Sequence, residues 1–359
     1  MHALALSDAH RVALVRRGLP EAEVRLRGYR TLADLQGALA AGAAAQRAVG
    51  AALARVPGFR RRPPADGGAP VWGLSAHPGL LIPVRDPHGR IVALKVRRDD
   101  IEDGRPANPR YVYASSARWG GPGPGAPPHL PLLAAPPLPS PIVAVVRITE
   151  GELKADVATV LSRIRTVSVA GVGVWRSALP VLRYLGARRV LLAFDADAGR
   201  KPAVARALYA LCWALQAESG VEVALEQWDE ADGKGIDDLL SAGRQPAVVV
   251  GADVPRRLEA MLPGRAAAAI RLGGVDPVAV QPTSLAAAMR EGQRLLGARR
   301  LKWLQAAGGG AYRAGAVAAE SLRAGMAPGA VLALLLVLCG GDQQRAEAGL
   351  REGIRAVGG

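Results

Sequence analysis

The feature that most constrains the fold is an alternation of apolar and amphipathic segments over residues 142–250. Apolar runs such as VAVVRITE and VLLAF alternate with longer helical patterns such as KPAVARALYALCWALQAES. A continuous apolar run is typical of a strand that is covered on both faces of a sheet. Strands that alternate with helices form parallel sheets through right-handed crossovers. The block therefore predicts an α/β fold: a parallel sheet of four strands sandwiched by helices.

Acidic residues lie where the predicted strands end. Glu150 ends the first strand, and Asp195 and Asp197 follow the third. Ligands of open α/β sheets bind at the carboxyl ends of the strands, and Asp195 and Asp197 point to one side if the chain stays extended there. Two such carboxylates suit Mg²⁺, with Mn²⁺ as an alternative. Glu150 is then a general acid or base, or a further metal ligand.

These residues carry a resemblance to a known family. The phrase VRITEGELKAD, followed by LLAFDADAGRK, resembles the Toprim domain of bacterial-type primases, topoisomerases and some nucleases. The resemblance implies that Glu150 takes the role of the glutamate after the first strand. It implies that Asp195 and Asp197 form the DxD pair, and that the three residues are catalytic and bind the metal. The usual primase form is DGDxAG, whereas this chain has DADAG, one residue shorter before the glycine.

The segment GLLIPVRDPHGRIVALKVRRDD predicts a β-hairpin, because two apolar runs flank the turn sequence DPHG. The following PRYVYAS predicts a third strand. Together they resemble the strand-rich subdomain that precedes Toprim in bacterial replicative primases, where a hairpin leads into a basic ridge. The resemblance implies that Lys95, Arg97 and Arg98 contact template or nucleotide.

The wider chain resembles a Toprim-bearing family of uncertain function that is common on phages and mobile elements. Residues 13–31, 148–156 and 232–240 carry the matching phrases, and the resemblance covers roughly residues 6–250. Replicative primases carry a Cys-rich zinc domain ahead of this core. This chain has only Cys212 and Cys339, so it cannot build such a domain.

Further charged residues lie beside these motifs. Lysine is scarce, yet Lys154, Lys201 and Lys234 all fall in this block, and Arg200 precedes Lys201. We interpret these four as candidate phosphate contacts; chance placement is the alternative for the lysines. In DGKGIDD, Asp237 and Asp238 are candidates to hold a second metal or to polarise the site, and Asp237 is alternatively a helix cap. Asp156 either supports Glu150 or faces solvent.

Net charge of +15 and a pI near 10.8 favour a polyanionic partner, although abundant arginine also reflects a GC-rich coding bias. Trp72, Trp119, Trp175 and Trp228 are predicted to be packing residues rather than stacking platforms. The start of the chain shows no secretory signal, and its longest apolar run, AVLALLLVLC, is too short to span a bilayer. We therefore expect a soluble cytoplasmic protein without membrane contact.

The segments divide the chain into four predicted parts. They are a helical region over residues 1–62, which holds a second helix at 31–55; a strand-rich part with a Pro/Gly linker over 63–141; the Toprim domain at 142–250; and a helical domain at 251–359.

The first functional hypothesis is a DNA primase-like nucleotidyltransferase that serves replication of a phage, plasmid or mobile element. Its partners would be a single-stranded DNA template and nucleoside triphosphates, with a replicative helicase as a further candidate partner. The alternatives are a metal-dependent Toprim nuclease and a non-catalytic module that binds nucleic acid or a helicase. No P-loop motif accompanies the nuclease hypothesis.

Overall fold

A computed structural model describes residues 3–63, 67–101, 109–133, 145–216, 220–262, 284–297 and 311–358. The chain groups into two compact units. The first unit is Met1–Ala198 with Gly220–Gly251, and the second is Gly199–Ser219 with Ala252–Gly359. The four-part division predicted from the sequence stays a prediction.

The first unit opens with short elements rather than with long helices. The first helix ends just before Gly18, which has a φ of +99°, as expected of a glycine that terminates a helix. Residues 30–32 form a strand, so the predicted helix at 31–55 is shorter, and Asp34 caps it by accepting a hydrogen bond from Gly37 N at 2.8 Å. The elements are α1 (Asp8–Arg16), α2 (Glu21–Arg27), β1 (Arg30–Leu32) and α3 (Leu35–Val49).

Two antiparallel assemblies follow. A ribbon pairs β2 (Phe59–Arg62) with β3 (Val71–Leu74). A second sheet has the order β1-β4-β5-β6 and contains β4 (Gly79–Arg85), β5 (Ile91–Arg98) and β6 (Tyr111–Tyr113). The predicted hairpin is confirmed, since β4 pairs with β5 and Gly89 N donates to Asp86 O at 2.9 Å in the turn.

The alternating block forms a five-stranded sheet of order β11-β10-β9-β7-β8. The four predicted strands are parallel, and a fifth, β11, adds antiparallel to β10 at the edge. The strands are β7 (Val145–Glu150), β8 (Arg165–Val169), β9 (Arg189–Leu192), β10 (Glu222–Gln227) and β11 (Ala247–Val250). The helices are α4 (Glu152–Ser162), α5 (Leu179–Tyr184), α6 (Pro202–Gln216) and α7 (Ile236–Ser241).

Helix α4 packs against both the four-stranded and the five-stranded sheet of the first unit. Its Leu153 and Val157 pack in one apolar cluster with Leu80 and Ile82 of β4 and with Leu14 of α1. On the other face of the antiparallel sheet, a separate cluster joins residues of β4 and β5 to Ala38 and Ala41 of α3. Because only Gly151 separates α4 from Glu150, the packing of this helix fixes the end of β7.

Part of the predicted linker at 116–141 is integrated into this core. His129 is buried, and its backbone exchanges two hydrogen bonds with Ser168 of β8, both at 2.9 Å. Leu130 N donates to Arg85 O at 3.0 Å. These residues therefore cross the interior rather than the surface, while residues 134–141 lie outside the described residues.

The second unit is helical where it is described. Besides α6 it contains α8 (Asp253–Glu259), α9 (Leu285–Leu296), α10 (Ala311–Arg323), α11 (Pro328–Leu338) and α12 (Gln343–Gly358). Its core gathers apolar side chains of α9 to α12, with α11 buried along most of its length. Among the described residues, no helix combines the length and the apolar character that crossing a membrane requires.

Gly42 marks the closest approach of α3 to the β2–β3 ribbon. A Cβ at this position would lie 2.2 Å from the carbonyl oxygen of Trp72. We expect Gly42→Ala to lower the free energy of unfolding by about 1–3 kcal/mol, because backbone must shift to admit the methyl group. Gly37→Ala is the control on the same helix, since its Cβ would meet atoms no closer than 3.4 Å. Urea unfolding of both variants checks this, and equal stabilities would contradict it.

Candidate functional site

The strand order creates a crevice at the carboxyl end of the parallel sheet. From β7 the chain crosses to β8 on one side and then returns to β9 on the other. The carboxyl ends of two strands that diverge in this way flank the preferred ligand site of open α/β sheets. Glu150 is the last residue of β7, whose register with the parallel strand β9 runs to the pair Ile148–Leu192. Asp195 lies three residues after the end of β9. The topological switch point, which is the crevice between the ends of β7 and β9, therefore has an acidic residue on each side.

The loop after β9 is not extended. The predicted extended conformation, which would point Asp195 and Asp197 to the same side, is therefore wrong. Residues Ala196–Arg200 form a 3-10 turn, in which Ala198 N donates to Asp195 O at 2.8 Å. Strand alternation therefore does not place the two carboxylates. Instead the loop is held from the side, because Ala196 N donates to Lys234 O at 3.0 Å. This bond joins the DAD and DGKG motifs in space.

Lys154 forms an ion pair with Asp195. It lies in the first turn of α4, and its ammonium donates to Asp195 Oδ1. Both side chains are about one-fifth exposed, at 21% each. A cation supplied by the chain itself thus sits on one of the predicted metal ligands, at a position where the sequence predicted a phosphate contact.

Asp237 is the most unusual carboxylate at the site. Its side chain is 2% exposed, and neither oxygen has a hydrogen-bond partner. Its one described ion pair is a long one, with Arg17 Nη2 at 3.7 Å. Burial raises the pKa of Asp237, and neighbouring Asp238 adds to the rise, while Arg17 and Lys154 oppose it. Asp238, not Asp237, caps α7 by accepting from Gly235 N at 3.0 Å, so the helix-cap interpretation of Asp237 is wrong.

The acids are not gathered into a ligand set in this conformation. Within the described ranges, no three His, Cys, Asp or Glu side chains lie close enough to hold a metal. The chemistry of the donors nevertheless fits Mg²⁺, because Glu150, Asp195, Asp197 and Asp237 offer only carboxylate oxygens. The unbonded oxygens of buried Asp237 and the ammonium on Asp195 both indicate that positive charge belongs at this place.

The predicted basic contacts separate into two groups. Lys95 is buried and donates to both carboxylate oxygens of Glu152, at 3.0 and 2.9 Å, so it ties β5 to α4 and does not face a template. Arg98 is held by Asp100, at 2.8 and 2.9 Å. The remaining side chains reach the surface: Arg97 is half-buried, and Lys234, Arg200 and Lys201 are exposed.

A buried polar network behind the site was missed from the sequence. Asp156, which is 2% exposed, accepts from Arg27 at 3.0 Å and from the hydroxyl of Tyr29. Its third partner is His129 Nε2 at 3.3 Å, and Arg85 N–H donates to the other ring nitrogen, which places the proton on Nε2. Burial opposes ionisation, but Arg27 and His129 hold the pKa of Asp156 below its usual value. Asp156 thus neither faces solvent nor contacts Glu150.

The sequence held one signal of this network. Asp156 closes the phrase ITEGELKAD, and Arg27 and Tyr29 lie in the opening phrase that ends GYRT. Both phrases belong to the motifs that carry the family resemblance. The sequence has no local pattern, however, that indicates a pairing between residues more than 120 positions apart. The network anchors α4 to the N-terminal helices and so supports the end of β7.

Comparison with known families gives one match. A family model described as a domain of unknown function, DUF3854, matches residues 139–246. No curated protein matches the chain.

Several solved primase structures are similar in architecture. A DNA primase domain from Pseudomonas aeruginosa is 16% identical, with a TM-score of 0.46, over 96% of this chain and 92% of that one. The zinc-binding and RNA polymerase domains of Aquifex aeolicus primase are 14% identical, with a TM-score of 0.45, over 92% and 70%. The E. coli primase catalytic core is 15% identical, with a TM-score of 0.45, over 81% and 83%. At such identities and TM-scores the function must be argued from the side chains of this chain.

Proposed function

We propose that this protein is a primase-like nucleotidyltransferase that joins nucleotides on a single-stranded DNA template with the help of Mg²⁺. The observation that carries the proposal is the placement of Glu150 and Asp195 on the two sides of the topological switch point. The backbone bond from Ala196 to Lys234 adds the Asp237 loop to the same edge. The Toprim-like order of these motifs in the sequence supports this choice of chemistry.

Each residue has a separate role in the proposed reaction. Glu150, Asp195, Asp197 and Asp237 would hold the metal, which supplies charge neutralisation at the transferring phosphate. If Asp195 held a metal, the Lys154 ammonium would no longer pair with it and would be available as a point charge for phosphate. Lys234 is exposed on the adjoining loop, where it can contact the same polyanion. Asp156 and its partners keep α4, and therefore Glu150 and Lys154, in position.

Lys154 should compete with the metal. In Lys154→Met the side chain keeps its length but loses its charge, so Asp195 becomes free for Mg²⁺. We expect the Mg²⁺ concentration at half-maximal thermal stabilisation to fall about tenfold, which corresponds to ~1.4 kcal/mol. Lys234→Met is the control, because Lys234 makes no described contact with Asp195. A midpoint that is the same in wild type and in Lys154→Met would contradict this competition.

Primer synthesis by the purified chain tests the function itself. Single-stranded DNA and labelled nucleoside triphosphates are incubated with Mg²⁺ or Mn²⁺, and products are resolved by length. Template-dependent polymers support the proposal, whereas degraded template would indicate the nuclease.

The non-catalytic module is the second candidate, and the Lys154–Asp195 ion pair is the observation that favours it. A chain that carries its own cation on a ligand position can keep the fold without binding a metal. Template that stays bound and intact, with no product under either metal, would decide for this module. A helicase partner stays a prediction from the resemblance.

A further inference from the structure

A groove outside the candidate site lies between the end of α3 and the β2–β3 ribbon. It has a volume of about 870 Å³, and its lining includes Gln46, Arg47, Ala54, Arg61 and Trp72. Arg61 and Trp72 are register partners on the two strands, and the Arg61 guanidinium carbon lies 5.7 Å from the centre of the Trp72 ring. The groove thus presents cationic groups beside an indole face.

The chain segments that form and flank the groove are rich in arginine. Residues 35–63 and 109–133 contain seven arginines and no aspartate or glutamate. Arg47 and Arg61 are exposed, and neither side chain makes an ion pair or a hydrogen bond with any part of the chain that the structure describes. Such positive charge without an internal counterion favours a polyanionic ligand.

A second arginine–indole pair lies on the same ribbon. Arg60 precedes Arg61 on β2, so the two side chains point to opposite faces. The Arg60 guanidinium carbon lies 4.0 Å from the ring centre of Trp119. Trp119 packs against this arginine, but it is 50% exposed, so part of the indole is open to solvent.

We propose that the groove binds a single-stranded polynucleotide, with its arginines on the phosphates and an unpaired base stacked on Trp72. Stacking on an aromatic ring requires a free base face, which a duplex hides. An acidic polypeptide would satisfy the arginines but leave the indole unused. The inference rests on the proposed function only for the choice of polymer, and it gives the template a second contact on the first unit.

Binding to labelled oligothymidylate, oligouridylate and a DNA duplex tests this, measured by anisotropy on the full chain without metal or nucleotides. Arg47→Gln/Arg61→Gln should bind the single strands about tenfold more weakly and reduce the slope of log K against log salt by about 1.4, or ~0.7 for each lost phosphate contact. Trp72→Leu should weaken binding about fivefold and leave the slope unchanged. Arg25→Gln/Arg188→Gln removes the same charge from exposed positions elsewhere on the first unit and serves as the control.

The outcomes separate this inference from the proposed function. If the wild-type chain makes no primers but Arg47→Gln/Arg61→Gln binds single strands more weakly than wild type, the groove inference stands and the proposed function fails. If the wild-type chain makes primers but this variant binds single strands as tightly as its control does, only the groove inference is overturned. Tighter binding of the duplex, or equal competition by polyglutamate, overturns the inference.

Discussion

Exchanging Asp195 and Asp197 for asparagine should reduce primer synthesis by at least about a thousandfold, while the fold and the affinity for single-stranded DNA remain. The expected loss is this large because metal-held charge stabilises the transition state of phosphoryl transfer, and removing even one such electrostatic contact lowers rates by about 10²–10³. Asparagine keeps the shape of each side chain but removes the charge that holds the ion. The measurement is product formed per unit time, with thermal unfolding of the same preparations as a check on folding.

Asp229→Asn provides the matched control. Asp229 follows β10, the neighbouring strand in the same sheet, and is exposed. It caps a turn by accepting from Ala231 N at 2.8 Å, a bond that asparagine also makes. This variant should keep wild-type activity. If the double variant retained activity comparable with that of Asp229→Asn, the site would lie elsewhere and the proposed function would be lost.

Arg147→Met should destabilise the protein by about 3–5 kcal/mol, since it leaves Glu226 charged and buried without its partner. Arg147 on β7 is 1% exposed and Glu226 on β10 is 3% exposed. Their two hydrogen bonds measure 2.6 and 2.9 Å, and Arg147 also donates to Ser162 at 2.7 Å. Urea unfolding at neutral pH measures the loss.

The sheet contains a control of the same geometry at its surface. Arg189 on β9 and Glu222 on β10 make two hydrogen bonds of 2.9 and 3.0 Å, but both side chains are nearly half exposed. Arg189→Met should therefore lower stability by less than about 1 kcal/mol. Arg147→Met/Glu226→Leu should regain most of the loss, because no unpaired charge stays buried. Similar losses for Arg147→Met and Arg189→Met would show that burial does not set the strength of these pairs.

The parallel sheet could be predicted because its signal is local. Buried strands are short apolar runs, and the helices between them are long enough to make crossovers. The fifth strand, AVVV, was missed, since an exposed four-residue edge strand has neither the length nor the flanking pattern of its neighbours. The hairpin at 79–98 was found through its turn sequence, which also acts over a few residues.

The side chains of the site were less predictable, because their partners are distant in sequence. Lys95 is a basic residue of the kind that contacts a template. In the structure, however, it is buried and pairs with Glu152, 57 positions away. Asp195 was identified correctly as lying at the end of its strand, but the ammonium on it comes from another element of the chain. The tertiary structure determines which side chains pair in this way, and the spacing of residues within a motif does not predict it.

The network around Asp156 has a consequence for where this protein can be cut. A fragment that starts at residue 139, where the family match begins, would retain Asp156 but lose Arg27, Tyr29 and His129. It would also strip Leu153 and Val157 of the apolar residues that cover them. The matched block is thus not a module that can be moved from one protein to another by itself. The residues that support it lie upstream, between Leu14 and His129, so a gene fusion or expression fragment that keeps the block folded must include them.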